Sequence, residues 1–174
     1  SALHASGKRF AEPAIRLAAA GSYDLGGGVL QLERLKLDSK TAVVEVAGNV
    51  ARDGPAARLA LDGQCRYDVA RLSELGRAQF GVPIYAAGQE TSPVLYRGPL
   101  TLAEAEARFG LAWAEAEIVG FRFGPGELAT HLSGGVLRGE PLEVDVSEGR
   151  LHVVPQVRFG GEGAVLEVGG GRLA

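Results

Sequence analysis

The chain has no methionine, a single cysteine and a single tryptophan among its 174 residues, and aromatic side chains make up only 6% of it. With Cys65 alone, neither an internal disulfide nor a thiolate metal cluster can form within the chain. The lone thiol fits cytoplasm and periplasm equally. His4, His131 and His152 are far apart in sequence and accompany no Asp/Glu motif at ligand spacing, so no metal site is expected. No apolar run approaches the roughly 18 residues of a membrane span, and no charged segment leads into an apolar one as in a secretory signal. Lys and Arg are scattered through a chain of net charge −3, without the basic stripe or aromatic run that nucleic acid requires. The glycine triplets at 26–28 and 169–171 lack the spacing of phosphate-binding loops and read as turn glycines.

What the chain does have is alternation. Gly27-Gly28-Val29-Leu30-Gln31-Leu32-Glu33-Arg34-Leu35-Lys36-Leu37-Asp38 recurs 107 positions later as Gly134-Gly135-Val136-Leu137-Arg138-Gly139-Glu140-Pro141-Leu142-Glu143-Val144-Asp145. Each copy opens on a glycine pair, places apolar residues at every second position, changes phase at Glu-Arg or Glu-Pro, and alternates again. That is the pattern of a half-buried strand with a bulge in its middle. Internal half-repeats at about 15–80 and 105–168 are expected from it. A length of 174 residues suits one domain or one segment of a longer repeated architecture. Ser1 at the start, the missing methionine and an ending just past a strand-like run suggest a piece of a longer chain. Any signal or anchor would then lie outside it.

The fold class expected is all-β, mainly an antiparallel meander forming an elongated curled sheet or groove, with one short helix. A short strand through Ile15 and Leu17 precedes the glycine turn at 26–28. Strands follow at 29–38, at 43–50 and at 58–67, with Leu59, Leu61, Gly63, Cys65 and Tyr67 on one side. The helix is expected over Val69–Phe80, capped by Asp68, with Val69, Leu72 and Leu75 tracing its apolar stripe and Gly81 and Pro83 ending it. Short strands near 84–87 and 94–97 are joined through 88–91. Residues 101–119 fit both periods; the large side chains Phe109, Leu111 and Trp113 fall on one pleat face, which favours a strand over 106–114. A loop over 120–126, strands through Leu128–Leu132, 136–146 and 150–159, a turn at 147–149, and a last strand over 165–168 complete the reading.

Few residues suggest chemistry. Glu104, Glu106, Glu115 and Glu117 stand at i, i+2 spacing, which could pair an acid with a base, but no partner His or Arg motif accompanies them and a solvated strand face explains them. Cys65 shares the phase of Leu59 and Leu61 and is expected to be buried and inert. No paired acid, base and nucleophile emerges, so a non-enzyme without catalytic residues or cofactor is expected. The alternation puts Leu30, Leu32, Leu35, Leu37, Val44, Val46, Leu59 and Leu61 on one sheet face, with Leu142, Val144, Val146, Leu151 and Val153 on its later continuation. Either a second sheet covers that face, giving a closed sandwich or barrel that serves as a structural or protein-interaction domain, or it stays open to a ligand or to another copy of the repeat.

The segments Gly-Ser-Tyr-Asp-Leu through Val-Glu-Val-Ala-Gly-Asn-Val (21–50), Leu-Asp-Gly-Gln-Cys-Arg-Tyr-Asp-Val-Ala-Arg-Leu-Ser-Glu-Leu (61–75) and the hairpin at 124–144 resemble repeat segments of the AsmA-like, TamB-like family of bacterial envelope proteins. The similarity spans most of residues 15–160. It implies a β-sheet curled into an apolar groove in the periplasm of a diderm bacterium, with roles in outer-membrane biogenesis and lipid transport between membranes. On that resemblance the apolar residues named above would hold or conduct phospholipid acyl chains. Adjacent repeats of a parent protein would be partners, and membrane contact would come only through regions outside this chain. No catalytic motif is implied.

Overall fold

A computed structural model describes residues 3–4, 14–53, 56–81, 83–146, 149–160 and 163–173. Fifteen strands join one sheet, every pairing antiparallel. They are β1 (Leu3–His4), β2 (Arg16–Asp24), β3 (Val29–Asp38), β4 (Ala42–Asp53), β5 (Ala56–Asp68), β6 (Ile84–Ala87), β7 (Gln89–Gly98), β8 (Glu106–Trp113), β9 (Glu115–Ile118), β10 (Phe121–Phe123), β11 (Gly126–Ser133), β12 (Val136–Gly139), β13 (Leu142–Val146), β14 (Gly149–Gly160) and β15 (Gly163–Leu173). The single helix among the described residues, α1 (Val69–Phe80), separates β5 from β6. The fold is therefore all-β with one short helix, as a long, curled, open sheet.

Several short strands are halves of longer bent ones. β6 with β7, β8 with β9, β10 with β11 and β12 with β13 each run on across a one- or two-residue break, at Gly88, Ala114, Gly124–Pro125 and Glu140–Pro141. Backbone bonds cross the breaks: Ala114 N–H to Ala87 O at 2.9 Å, Gly124 N–H to Asp145 O at 3.1 Å, and Glu140 N–H to Ala129 O at 2.8 Å. With the breaks spliced, the chain is a simple meander in which nearly every strand pairs with the next. The segment at 88–91 thus belongs to a bent strand rather than to a hairpin loop, and β7 begins at Gln89 rather than near Val94. Likewise 121–123 form β10 within the expected loop. Gly169, Gly170 and Gly171 lie inside β15, not in a turn: Gly169 pairs with Val154, Gly170 and Gly171 fall at a register shift, and pairing resumes at Arg172 with His152. The expected turn residues Gly54, Pro55, Ser147 and Glu148 lie outside the described residues.

In both copies of the repeat the phase change is a bulge. Glu33 and Arg34 together oppose the single Ala47, so Leu32 pairs with Gly48 and Leu35 with Val46. The odd spacing of the two leucines is absorbed and both remain on one face. In the second copy the break at Glu140–Pro141 does the same for Gly139 and Leu142, the latter pairing with Val153. Gly48, at φ 146, lies next to Ala47 beside the bulge, and a Cβ there would run into the Ala60 carbonyl oxygen. Glycine allows β4 and β5 to close up where the sheet bends.

The helix forms where β5 ends. Asp68 caps it, accepting from Arg71 N–H at 3.2 Å, and Gly81 at φ 68 returns its N–H to Arg77 O. Val69 is buried, Leu72 and Leu75 are half-buried, and a Cβ on Gly76 would stand 3.6 Å from Ile84 Cδ1. α1 lies along β6 and covers an edge that would otherwise be free to pair with another chain.

The core is small. Ala105, Ala107 and Leu132 form a buried cluster with Tyr96 and Leu137 against it, where the 99–105 loop folds back over the sheet end. Tyr96 O–H donates to Pro99 O, and Gly135 N–H donates to Leu102 O at 3.1 Å. Among the described residues no large side chain is fully buried. The accessible surface is 11288 Å², against roughly 8,100 Å² for a compact monomer of this mass. An open sheet with one uncovered face contributes to that excess.

One interruption of the sheet is sealed by a side chain. β7 and β8 pair only through Val94–Arg97 and Glu106–Phe109. Beyond them Tyr67, 5% exposed, fills the gap: its hydroxyl accepts from Ala112 N–H at 2.7 Å and shares a hydrogen bond with Ser92 Oγ at 3.2 Å. Removing that oxygen leaves a half-buried amide without that partner. Tyr67→Phe is expected to lower unfolding free energy by about 1–2 kcal/mol and to speed hydrogen exchange at the Ala112 amide. Unchanged exchange there would show that the hydroxyl does not seal the gap.

Candidate functional site

Directly opposed residues of an antiparallel ladder share a face, so the register fixes which side chains meet. One row passes through Gly21, Leu32, Gly48, Leu61, Tyr96, Ala107, Leu132, Leu137 and Val157, each opposed to the next. A parallel row runs through Ala19, Leu35, Val46, Gly63, Val94, Phe109, Thr130 and Gly139. A single apolar face thus crosses the sheet from β2 to β14. The opposite face carries the charges, laced across strands: Glu45 bonds Arg34 at 3.1 Å and Lys36 at 3.3 Å, Asp145 meets Arg150 at 3.4 Å, and Glu167 meets Arg158 at 3.7 Å. Hydrogen bonds from Arg34 and Lys36 hold the Glu45 carboxyl below its ordinary range.

The apolar face folds into a hollow of about 230 Å³, lined by Leu17, Leu35, Leu37, Val44, Val46, Leu59, Leu61, Val94, Tyr96 and Leu100, with no polar atom on its wall. Its walls come from β2, β3, β4, β5 and β7. Strands about 4.8 Å apart would put the outer two roughly 19 Å from each other in a flat sheet, so the sheet must curl for one hollow of this size to touch both. The hollow is open, since Leu17 is 69% and Leu100 79% exposed.

Six of the residues expected on the face, Leu35, Leu37, Val44, Val46, Leu59 and Leu61, therefore line one cavity. Leu30 and Leu32 share their face but sit beyond the bulge, opposite Val50 and Gly48 and outside the hollow. Leu142 pairs with Val153 and Val144 with Leu151, on the far continuation; Val146 stands opposite Gly149. The side chains of Val144 and Val146 lie outside the described residues. Sequence reasoning missed Leu17, Val94, Tyr96 and Leu100. Leu17 opposes Leu37, and Val94 and Tyr96 oppose Gly63 and Leu61, so pairing each strand with its neighbour could have found these three. Leu100 lies in a loop, where no period marks it.

Comparison with protein-family models, with curated proteins and with solved structures returns no match.

The remaining candidates are dispersed. Glu104, Glu106 and Glu115 are exposed, and Glu117 pairs with Arg122 at 3.9 Å. His152 Nδ1 stands 3.4 Å from Glu143 Oε1, while His131 is exposed. Among the described residues no group of three or more His, Cys, Asp or Glu could hold a metal ion, and no helix is long and apolar enough to cross a membrane.

Cys65 departs from expectation: it is half-buried, not buried, because it sits on the open face between Val44 and Ser92. Partial burial still disfavours the thiolate and raises the thiol's pKa. Alkylation of the native protein by iodoacetamide is expected to rise with pH along a curve displaced above that of the denatured chain. Coinciding curves would mean that the thiol is fully solvated.

Proposed function

We propose that this chain is a segment of a β-groove that holds or conducts phospholipid acyl chains, of the kind its repeats resemble in AsmA-like, TamB-like envelope proteins. The observation that carries the proposal is the hollow at β2–β7, whose wall is wholly apolar and open to solvent. An exposed apolar surface of this extent costs free energy unless it is filled, and water cannot hydrogen-bond to it. A flexible hydrocarbon chain suits it: each methylene taken from water contributes about 0.8 kcal/mol, with no demand on direction. Past the hollow the same row runs on through Ala107 and Leu132, where the 99–105 loop covers it, so the open stretch is the hollow itself. The reading calls for no catalytic residue and no cofactor. It goes with a periplasmic or envelope-associated location and with neighbouring repeats that prolong the groove from β2, the last strand on its side of the sheet among the described residues.

The alternative is an apolar face that serves a protein partner and never meets lipid. Mass spectrometry of organic extracts separates the two, and Leu61→Asp sharpens the test. The purified protein is expected to carry phospholipid. Because Leu61 is only half-buried on an open face, the variant should stay folded at a cost of about 1–2 kcal/mol and lose most of that lipid. Lipid-free wild-type protein, or a variant that keeps its lipid, would overturn the proposal.

A further inference from the structure

The β9–β10 hairpin turns on Val119 and Gly120, at φ 54 and φ 83. Two successive positive φ values make the turn that favours Asn-Gly, and a β-branched residue is poorly suited to it. Val119 is the one non-glycine residue with positive φ among those described. Pairing on both sides holds it there: Ile118 opposes Phe121 in β10 and Ile84 in β6, and Val119 N–H donates to Pro83 O at 3.0 Å. The fold gains little from the side chain, since Val119 is 58% exposed and its neighbours Phe121 and Ile118 are 57% and 37% exposed. The ladder offsets the strain, but a valine in that conformation whose side chain the fold leaves exposed points to contact outside the molecule.

The chemistry behind the tip indicates what it touches. Tyr85 stands one strand away, opposite Glu117, with the Arg77 guanidinium 5.0 Å from its ring centroid. Arg122 is extended into solvent beside Glu117. An apolar tip followed by a layer of Tyr85, Arg77 and the Arg122–Glu117 pair follows the order of a bilayer interface, where hydrocarbon gives way to headgroups. The ladder already satisfies the backbone on either side of the turn, so insertion does not strip those amides of partners. A protein partner would need a cleft to receive the tip.

We propose that Ile118, Val119 and Phe121 insert into the interface of an anionic phospholipid bilayer, with Arg77 and Arg122 at headgroup level. The inference is independent of the groove reading, because the tip lies outside the hollow. It differs from the expectation, drawn from the resemblance, that membrane contact arises only outside this chain.

The test is flotation with vesicles of phosphatidylethanolamine and phosphatidylglycerol. Wild-type protein should float with them. Val119→Asn should lower partitioning at least tenfold while raising the melting temperature, because asparagine tolerates the left-handed conformation; loss of binding then cannot be laid to unfolding. Phe121→Ser should lower it similarly. Leu25→Asn, at a still more exposed apolar residue in a turn elsewhere, should leave it unchanged. Failure of wild-type protein to float, or undiminished flotation of Val119→Asn, overturns the proposal. So does a result in which the tip variants change only self-association on gel filtration, which would assign the tip to a protein contact. Lipid carried in the hollow, measured on the same samples, should not differ between wild type and Val119→Asn.

Discussion

Side-chain phase is the constraint on which this structure depends. A strand turns its residues alternately to two faces, so a one-residue slip anywhere would carry a whole strand's leucines to the charged side. Across a long meander such errors would accumulate. Here the register passes from Gly21 to Val157 without a change of face, although the apolar spacing inside β3 and across β12–β13 is odd. The bulge at Glu33–Arg34 and the break at Glu140–Pro141 each take up one residue and restore the phase. The same devices bend the sheet, so the residues that keep the face uniform also help to curl it.

With the face uniform, the rest of the energetics follows from a sheet that has no second layer. Only the 99–105 loop closes a compact cluster, around Ala105 and Leu132. Elsewhere stability comes from ladders, from cross-strand apolar pairs such as Leu37 with Val44, and from lateral charge pairs whose individual worth is small at this exposure. Where the ladder fails, between β7 and β8, one tyrosine hydroxyl takes over its work. Where an edge would be bare, beside β6, the helix covers it.

Much of this was legible in the sequence, and the reasons differ by element. Alternation at Leu59, Leu61, Gly63 and Cys65 identifies β5, and Asp68 with Gly81 bounds α1, because both signals are local. The strand over 106–114 was legible from the size of Phe109, Leu111 and Trp113 rather than from helix preference. Three of the hollow's residues escaped notice because register across strands, not period along one, decides which side chains meet. Gly169–Gly171 in β15 and the 88–91 segment were misread for a related reason: glycine marks a turn only when no neighbouring strand offers it a ladder. The openness of the face could not be read at all, since alternation is the same whether a second sheet or solvent lies opposite.

The meander also determines how the chain can acquire its structure. Apart from β1, whose partner is β15, each main pairing joins strands close in sequence, with α1 the longest connection within the run. Loop-closure costs are therefore small at each step, and contacts of this kind are the quick ones to form. A chain emerging amino-terminus first can lay β3 on β2, β4 on β3 and so on, each new strand finding its template already in place. Damage would stay local in the same way: melting of β14 and β15 need not undo β3 to β5, and the molecule should open by fraying from its ends, as a stack of nearest neighbours does, rather than all at once.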